Sequence, residues 1–160
     1  MRRIITATVN NSSGVLNRIT GVISRRQYNI DSISVGHTEA PNVSRITIVV
    51  HVDSLHEIEQ VTKQLNKQID VLKVSDITDE PHLERELAIV KLNANAAQRS
   101  EINAVIEPFR AMVIDVGAKS IVIQITGTSE KVDAFAEIVR PYGIKQMART
   151  GVTGFTRSQK

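Results

Sequence analysis

The chain has 160 residues, of which 41% are hydrophobic, 23% charged and 3% aromatic, with neither cysteine nor tryptophan. Its 20 basic and 17 acidic residues leave a net charge of +3, too weak and too dispersed for a nucleic-acid-binding stripe. No apolar run approaches the ~18 residues a membrane helix needs, "MRRIITATV" lacks an apolar signal region, and the absence of cysteine fits a reducing compartment. A cytoplasmic protein with neither nucleic acid nor membrane as partner is therefore expected.

In chain order, Arg3–Val9 alternates, with Ile5, Ala7 and Val9 on one face, and predicts a strand. Gly14–Arg25 carries Val15, Leu16, Ile19, Val22 and Ile23 at the spacing of an amphipathic helix. Tyr28–Thr38 reads as a strand, Pro41 and Asn42 break the chain, and Ser44–Val52 alternates again. Ser54 with Glu57 forms a capping box ahead of the stripe Leu55, Ile58, Val61, Leu65 and Ile69. Val71–Ile77 closes the first β-α-β-β-α-β series. The polar, aperiodic "TDEPHLERE" after it is expected to be a linker. The same order then repeats: strand Leu87–Leu92, helix Ala96–Phe109, strands Ala111–Val116 and Ser120–Thr126, helix Ser129–Val139 and strand Ile144–Ala148. The expectation is an α+β protein of two ferredoxin-like βαββαβ domains, 1–78 and 87–160, joined over 79–86. Helices on one face of each sheet leave the other face open, or covered by a second sheet or subunit. Edge strands of such small sheets favour a homodimer.

Catalytic chemistry is hard to find. The four histidines His37, His51, His56 and His82 have no metal-ligand spacing. "TGTSEK" lacks the second Gly and the Lys-Ser/Thr pair of a phosphate loop, which leaves Thr128 as a helix cap. No G-x-S-x-G elbow or paired nucleophile and base is present. RNA-recognition domains share the element order, but their third strand presents stacking aromatics and "SRITIVVHV" has none. The sequence therefore reads as non-catalytic.

One stretch, "NNSSGVLNRITGVISRRQYNI", suggests binding instead. Asn11 and Ser12 lie at a strand-to-helix turn, where the first helical N–H groups have no intrahelical acceptor. Gly14 lets a ligand approach the backbone, Val15 and Leu16 can wall a small pocket, and Asn29 offers a donor and an acceptor. An α-amino acid has the matching carboxylate, ammonium and small side chain. The bland alternative stays open at this point: Ser12 only caps, Gly14 only eases the turn, and Asn29 only starts a strand.

These residues closely resemble the small regulatory subunits of acetolactate synthase, also called acetohydroxyacid synthase. The likeness rests on Asn11, Ser13, Gly14, Leu16, Arg18 and Gly21, on Arg26, Tyr28, Asn29, Ile30 and Ser32, and on Ser44, Arg45 and Thr47. It continues through "HLERELAIVKL", "FRAMVIDV", "ITGTSEKVDAF" and "RTGVTGFTR", while Gln27 stands where a Gly often precedes the Tyr. The resemblance implies that residues 1–78 are an amino-acid-sensing ACT domain. It implies a non-catalytic subunit without a cofactor of its own, paired with a large subunit that carries thiamine diphosphate, FAD and Mg²⁺. It also implies stimulation of that subunit and feedback inhibition by L-valine in branched-chain amino acid biosynthesis. The implied valine site lies at an ACT dimer interface, with Asn11 and Asn29 from opposite chains, Gly14, Val15 and Leu16 at the helix turn, and Ile30 and Val35 lining the remainder. The alternative is a free-standing two-ACT-domain regulator of another enzyme or of transcription.

Overall fold

The computed structural model describes residues 1–158; Gln159 and Lys160, the end of the expected second domain, lie outside the described residues. The alternation in the first half of the chain produces strands β1 (Arg2–Asn10), β2 (Asn29–His37), β3 (Val43–His51) and β4 (Val71–Asp76). The 3.6-residue stripes produce α1 (Val15–Ser24) and α2 (Leu55–Asn66). The strands form one antiparallel sheet in the order β2-β3-β1-β4. Ile5, Ala7 and Val9 of β1 and Ile46, Ile48 and Val50 of β3 point to the helices, where they bury with Ile19 and Ile23 of α1 and Val61 and Leu65 of α2. Each Val, Ile or Leu among them contributes ~1.5–3 kcal/mol on leaving water.

The Ser54–Glu57 capping box forms as the sequence predicts. Ile69, expected on the α2 stripe, is instead 96% exposed. The helix stops at Asn66, and a tight turn with Gln68 N–H donating to Leu65 O and Val71 N–H to Gln68 O points Ile69 outward.

The segment expected as a linker is ordered by charges far away in sequence. Arg3 donates to Asp76 at 2.6 and 2.8 Å and to Asp79 at 2.6 Å, and Arg2 meets Glu84 at 3.1 Å. Thr78 Oγ1 donates to Asp76 Oδ1 and accepts from the Ile4 N–H. The next strand, β5 (His82–Asn93), therefore begins five residues before Leu87.

The helix-free face of the first sheet takes its cover from the same chain. A short strand, β9 (Thr153–Thr156), returns to pair with β5. Val152 just before it buries with Ile4, Val49 and Ile77. The segment is fixed by Val152 N–H to Ser32 Oγ at 3.3 Å, Arg45 Nε to the Gly154 carbonyl at 3.1 Å, and Arg157 N–H to the Pro81 carbonyl at 2.7 Å. A Cβ at Gly151 would collide with the Ile33 carbonyl, so only glycine lets the segment lie this close. One compact unit is accordingly Met1–Glu84 together with the chain from Gly151 on, and the other is Arg85–Thr150.

In the second unit, β5 continues into α3 (Ala96–Ile106), β6 (Met112–Val116), β7 (Ser120–Gly127), α4 (Ser129–Val139) and β8 (Ile144–Arg149). Its sheet order is β6-β7-β5-β8. The two units thus share the ferredoxin-like order. Val90, Leu92, Ile121, Ile123 and Val132 pack around Phe135, which meets Phe109 edge-to-face at 5.6 Å. Thr128 caps α4 by accepting from the Lys131 N–H, as its sequence context predicts. Glu86, buried at the start of this unit, is held by Arg149 Nε at 2.6 Å and by Ser129 Oγ at 3.3 Å. Among the described residues no helix is long and apolar enough to cross a membrane.

Candidate functional site

The turn from β1 into α1 has no side-chain cap. Gly14 stands at the N-cap with φ of 82°, the left-handed region that glycine enters without strain. No Ser or Asn side chain accepts from the first turn of α1. Val15 N–H reaches the Ser12 carbonyl at 3.3 Å, and Arg18 N–H makes the first helical bond to the Gly14 carbonyl at 3.0 Å. The intervening N–H groups of Leu16 and Asn17 find no acceptor among the described residues. Each of the other three α-helices has its cap: Ser54, Asn95 and Thr128 all accept from the first turn. The simple capping role open to Ser12 from sequence is therefore not what its side chain performs.

The uncapped turn opens on a depression of about 600 Å³. Asn11, Gly14, Val15, Leu16 and Val35 line it. Leu16 and Val35 remain 42% and 49% exposed, an apolar rim without a partner in the chain. The Asn11 backbone N–H donates to the Asn42 carbonyl at 2.8 Å, while its side chain is exposed. Arg18 pairs with Asp70 and ties the first turn of α1 to the loop before β4. The donors at the turn suit a carboxylate, and the rim suits a short aliphatic group.

Asn29 and Ile30 are not in this depression. On the β2–β3 ladder Asn29 lies opposite His51, whereas Val35 lies opposite Ile46. Six residues of strand separate Asn29 from Val35, roughly 20 Å at ~3.3 Å per residue. Asn29 Nδ2 donates to Asp31 Oδ1 at 2.9 Å, and Asp31 meets His51 Nδ1 at 2.5 Å. Ile30 packs partly against the first core. The ladder slips between Ile30 and Ser32, leaving Asp31 as a bulge on an edge strand.

Sequence reasoning missed Asn17, Thr20, Ser44 and Ile46 on the depression. Asn17 and Thr20 follow Ser13 and Leu16 at four-residue helical spacing, a signal that was available. Ser44 and Ile46 reach the site only through the antiparallel register of β3 with β1, where Val9 faces Ser44 and Ala7 faces Ile46. Among the described residues no group of three or more His, Cys, Asp or Glu could hold a metal ion.

Comparison with known proteins bears on what such a site serves. Residues 85–158 match the family described as the small subunit of acetolactate synthase, and residues 5–73 match the AHAS small subunit-like ACT domain. The chain is 60% identical over 157 residues to the acetolactate synthase small subunit of Bacillus subtilis (strain 168), covering 98% of the chain and 91% of that relative. It is 50% identical over 157 residues to the acetolactate synthase small subunit of Lactococcus lactis subsp. lactis (strain IL1403), covering 98% and 99%. Its fold is similar to the crystal structure of the acetolactate synthase small subunit from Thermotoga maritima, with a TM-score of 0.91, 34% identity and coverage of 100% and 99%.

Proposed function

The chain belongs to the acetolactate synthase small-subunit family, and from that premise we propose that it is the regulatory partner of a catalytic large subunit and confers feedback inhibition by L-valine. The chain itself is non-catalytic in this reading. It stimulates the large subunit, which carries the thiamine diphosphate, FAD and Mg²⁺, and valine withdraws that stimulation. The observation that carries the proposal is the uncapped α1 turn opening on an apolar rim.

A homodimer accounts for the two separated asparagines. Strand β2 is an edge of its sheet, with its outer main-chain groups free to pair. Antiparallel pairing with a second copy, about a two-fold axis near Ser32, sets the partner copy's start of β2 opposite Val35. Asn29 of one copy then approaches the Asn11 turn of the other. The valine carboxylate meets the Leu16 and Asn17 N–H groups, its ammonium meets the asparagine carbonyl oxygens, and its side chain lies on Leu16 and Val35. The dipole of α1 contributes ~0.3–1 kcal/mol, and burial of the isopropyl group contributes ~1.5–3 kcal/mol. After the costs of binding, a micromolar to millimolar Kd follows.

Two linked measurements test the proposal. Calorimetric titration of the purified chain with valine, leucine and isoleucine is expected to give saturable valine binding. Reconstitution with the large subunit is expected to raise its conversion of pyruvate to acetolactate and to make that activity valine-sensitive. A large subunit equally active with and without this chain would overturn the regulatory role. Stimulation without any response to valine would overturn the effector assignment alone.

A further inference from the structure

The motif residue Arg45 takes no part in the amino-acid depression, and the opposite face of the same sheet shows where it goes. Beneath the returning segment lies a second cavity of about 220 Å³. Thr6 and Thr8 of β1, Arg45 of β3, Lys73 and Ser75 of β4, and Thr156 of β9 line it. None of them lines the amino-acid depression. The register aligns them, since Thr8 faces Arg45 on one side and Lys73 on the other. Two cations therefore flank one hydroxyl across three adjacent strands, roughly 10 Å from one outer strand to the other.

Neither cation is in a salt bridge among the described residues: no carboxylate of theirs lies within 4.0 Å of Arg45 or Lys73. Arg45 gives Nε to the Gly154 carbonyl, and its Nη atoms make no hydrogen bond among the described residues. Partial burial depresses its pKa, opposed by the charge of Glu39. A guanidinium removed from water without a carboxylate is an unfavourable arrangement unless an anion completes it. Glu80, at the exposed rim, is the single acidic group of the lining and leaves a net positive charge.

We propose that this cavity binds a phosphate group, held between the guanidinium of Arg45 and the ammonium of Lys73, with the Thr8, Ser75 and Thr156 hydroxyls as further donors. Two flanking cations suit a dianion better than a monocarboxylate. The volume lies below the ~300–1,000 Å³ of drug-sized sites, so it admits a phosphate group and leaves the rest of any ester outside. Thr156 belongs to β9 and the other ligands to the sheet. Occupancy therefore fastens the returning segment to the strands beneath it.

The test titrates the 160-residue chain with inorganic phosphate, with glycerol 3-phosphate and with acetate, each at constant ionic strength, and follows the amide resonances of Thr8, Lys73, Ser75 and Thr156. Both phosphates are expected to shift these resonances saturably, and acetate is not. Binding of inorganic phosphate alone identifies the free ion as the ligand, and binding of both identifies a phosphate carried on a larger molecule. Lys73→Gln removes an exposed side chain and leaves the fold, checked by circular dichroism, unchanged. It is expected to weaken phosphate binding about tenfold, the loss of one charge-assisted interaction. Arg45→Lys, which keeps the charge but loses the planar fork, is expected to weaken it as well. No saturation by either phosphate, the same affinity in Lys73→Gln, or acetate binding as tightly as phosphate would each overturn the site.

Discussion

At the residue scale, the informative groups are those whose partners the chain does not supply. The Leu16 and Asn17 N–H groups have no acceptor among the described residues, and the depression they face is where an effector carboxylate is expected. Asn11→Ala and Asn29→Ala are each predicted to weaken valine binding about tenfold, one polar contact apiece, without loss of large-subunit stimulation; calorimetry and reconstituted activity check both. Gly14→Asp is predicted to abolish the valine response more completely. It places a carboxylate among the donors and forces a side chain into positive φ, which costs ~1–2 kcal/mol. Other residues have all the partners they need. Arg3 holds the exposed Asp79 carboxyl below the ordinary carboxylate range by hydrogen bonding, against a smaller desolvation effect. Because that pKa is depressed, the ion pair stabilises the fold above the ordinary carboxylate range and loses its contribution as pH falls through the lowered value. A carboxyl-carbon NMR titration is expected to show Asp79 moving up to ordinary values in Arg3→Gln. Such pairings were not legible in the sequence, because Arg3 and Asp79 are 76 positions apart and no local period links them. The α1 turn was legible, because glycine and small polar residues before an apolar stripe carry a local meaning.

At the element scale, eleven of the twelve helices and strands expected from Arg3 through Ala148 begin within two residues of their predicted starts. Their periods are written in consecutive residues, and periodicity reads them directly. The exception is β5, whose first five residues alternate poorly because Arg2 and neighbouring strands, rather than an apolar face, hold them. The short strand β9 had no apolar period to reveal it. "GVTGF" declares its role only once Val152 is seen against Ile4, Val49 and Ile77. Gly151→Val is predicted to lift this segment from β2 and to destabilise the protein by ~1–3 kcal/mol, measured by chemical denaturation. In the second unit, Arg149→Met leaves the buried Glu86 carboxylate with only the Ser129 hydroxyl. The expected cost is about 2–3 kcal/mol, below the full value for a buried pair because Arg149 keeps 30% of its side chain exposed.

At the scale of the whole molecule, the effector site proposed above, completed by two copies, would make dimerisation and valine binding reciprocal. If valine tightens the dimer by a given factor, dimerisation must tighten valine binding by the same factor, typically ~5–150-fold for such couplings. Sedimentation across a dilution series, with and without valine, is expected to show the dimer persisting to lower concentration when valine is present. The location of β9 also determines how the second unit's contribution can be isolated. A chain cut after Glu84 loses Val152 and exposes Ile4, Val49 and Ile77. It is predicted to unfold at lower denaturant than a variant in which a short Gly-Ser loop replaces Arg85–Thr150 and β9 is retained. Only the latter tests the second unit's role in stimulation without also damaging the first.

The return of β9 has a further consequence during synthesis. Strands β1 to β4 emerge from the ribosome first, yet their apolar outer face is finished only by residues made after all of Arg85–Thr150. At ~5–20 residues per second, that delay is roughly 3–13 s. For those seconds Ile4, Val49 and Ile77 face water on a sheet whose edge strand β2 is also unpaired, and chaperones that bind exposed apolar surface have their opportunity. The second unit is itself complete in sequence only as that interval ends, so the part of the protein that is made first is not completed before the part made second.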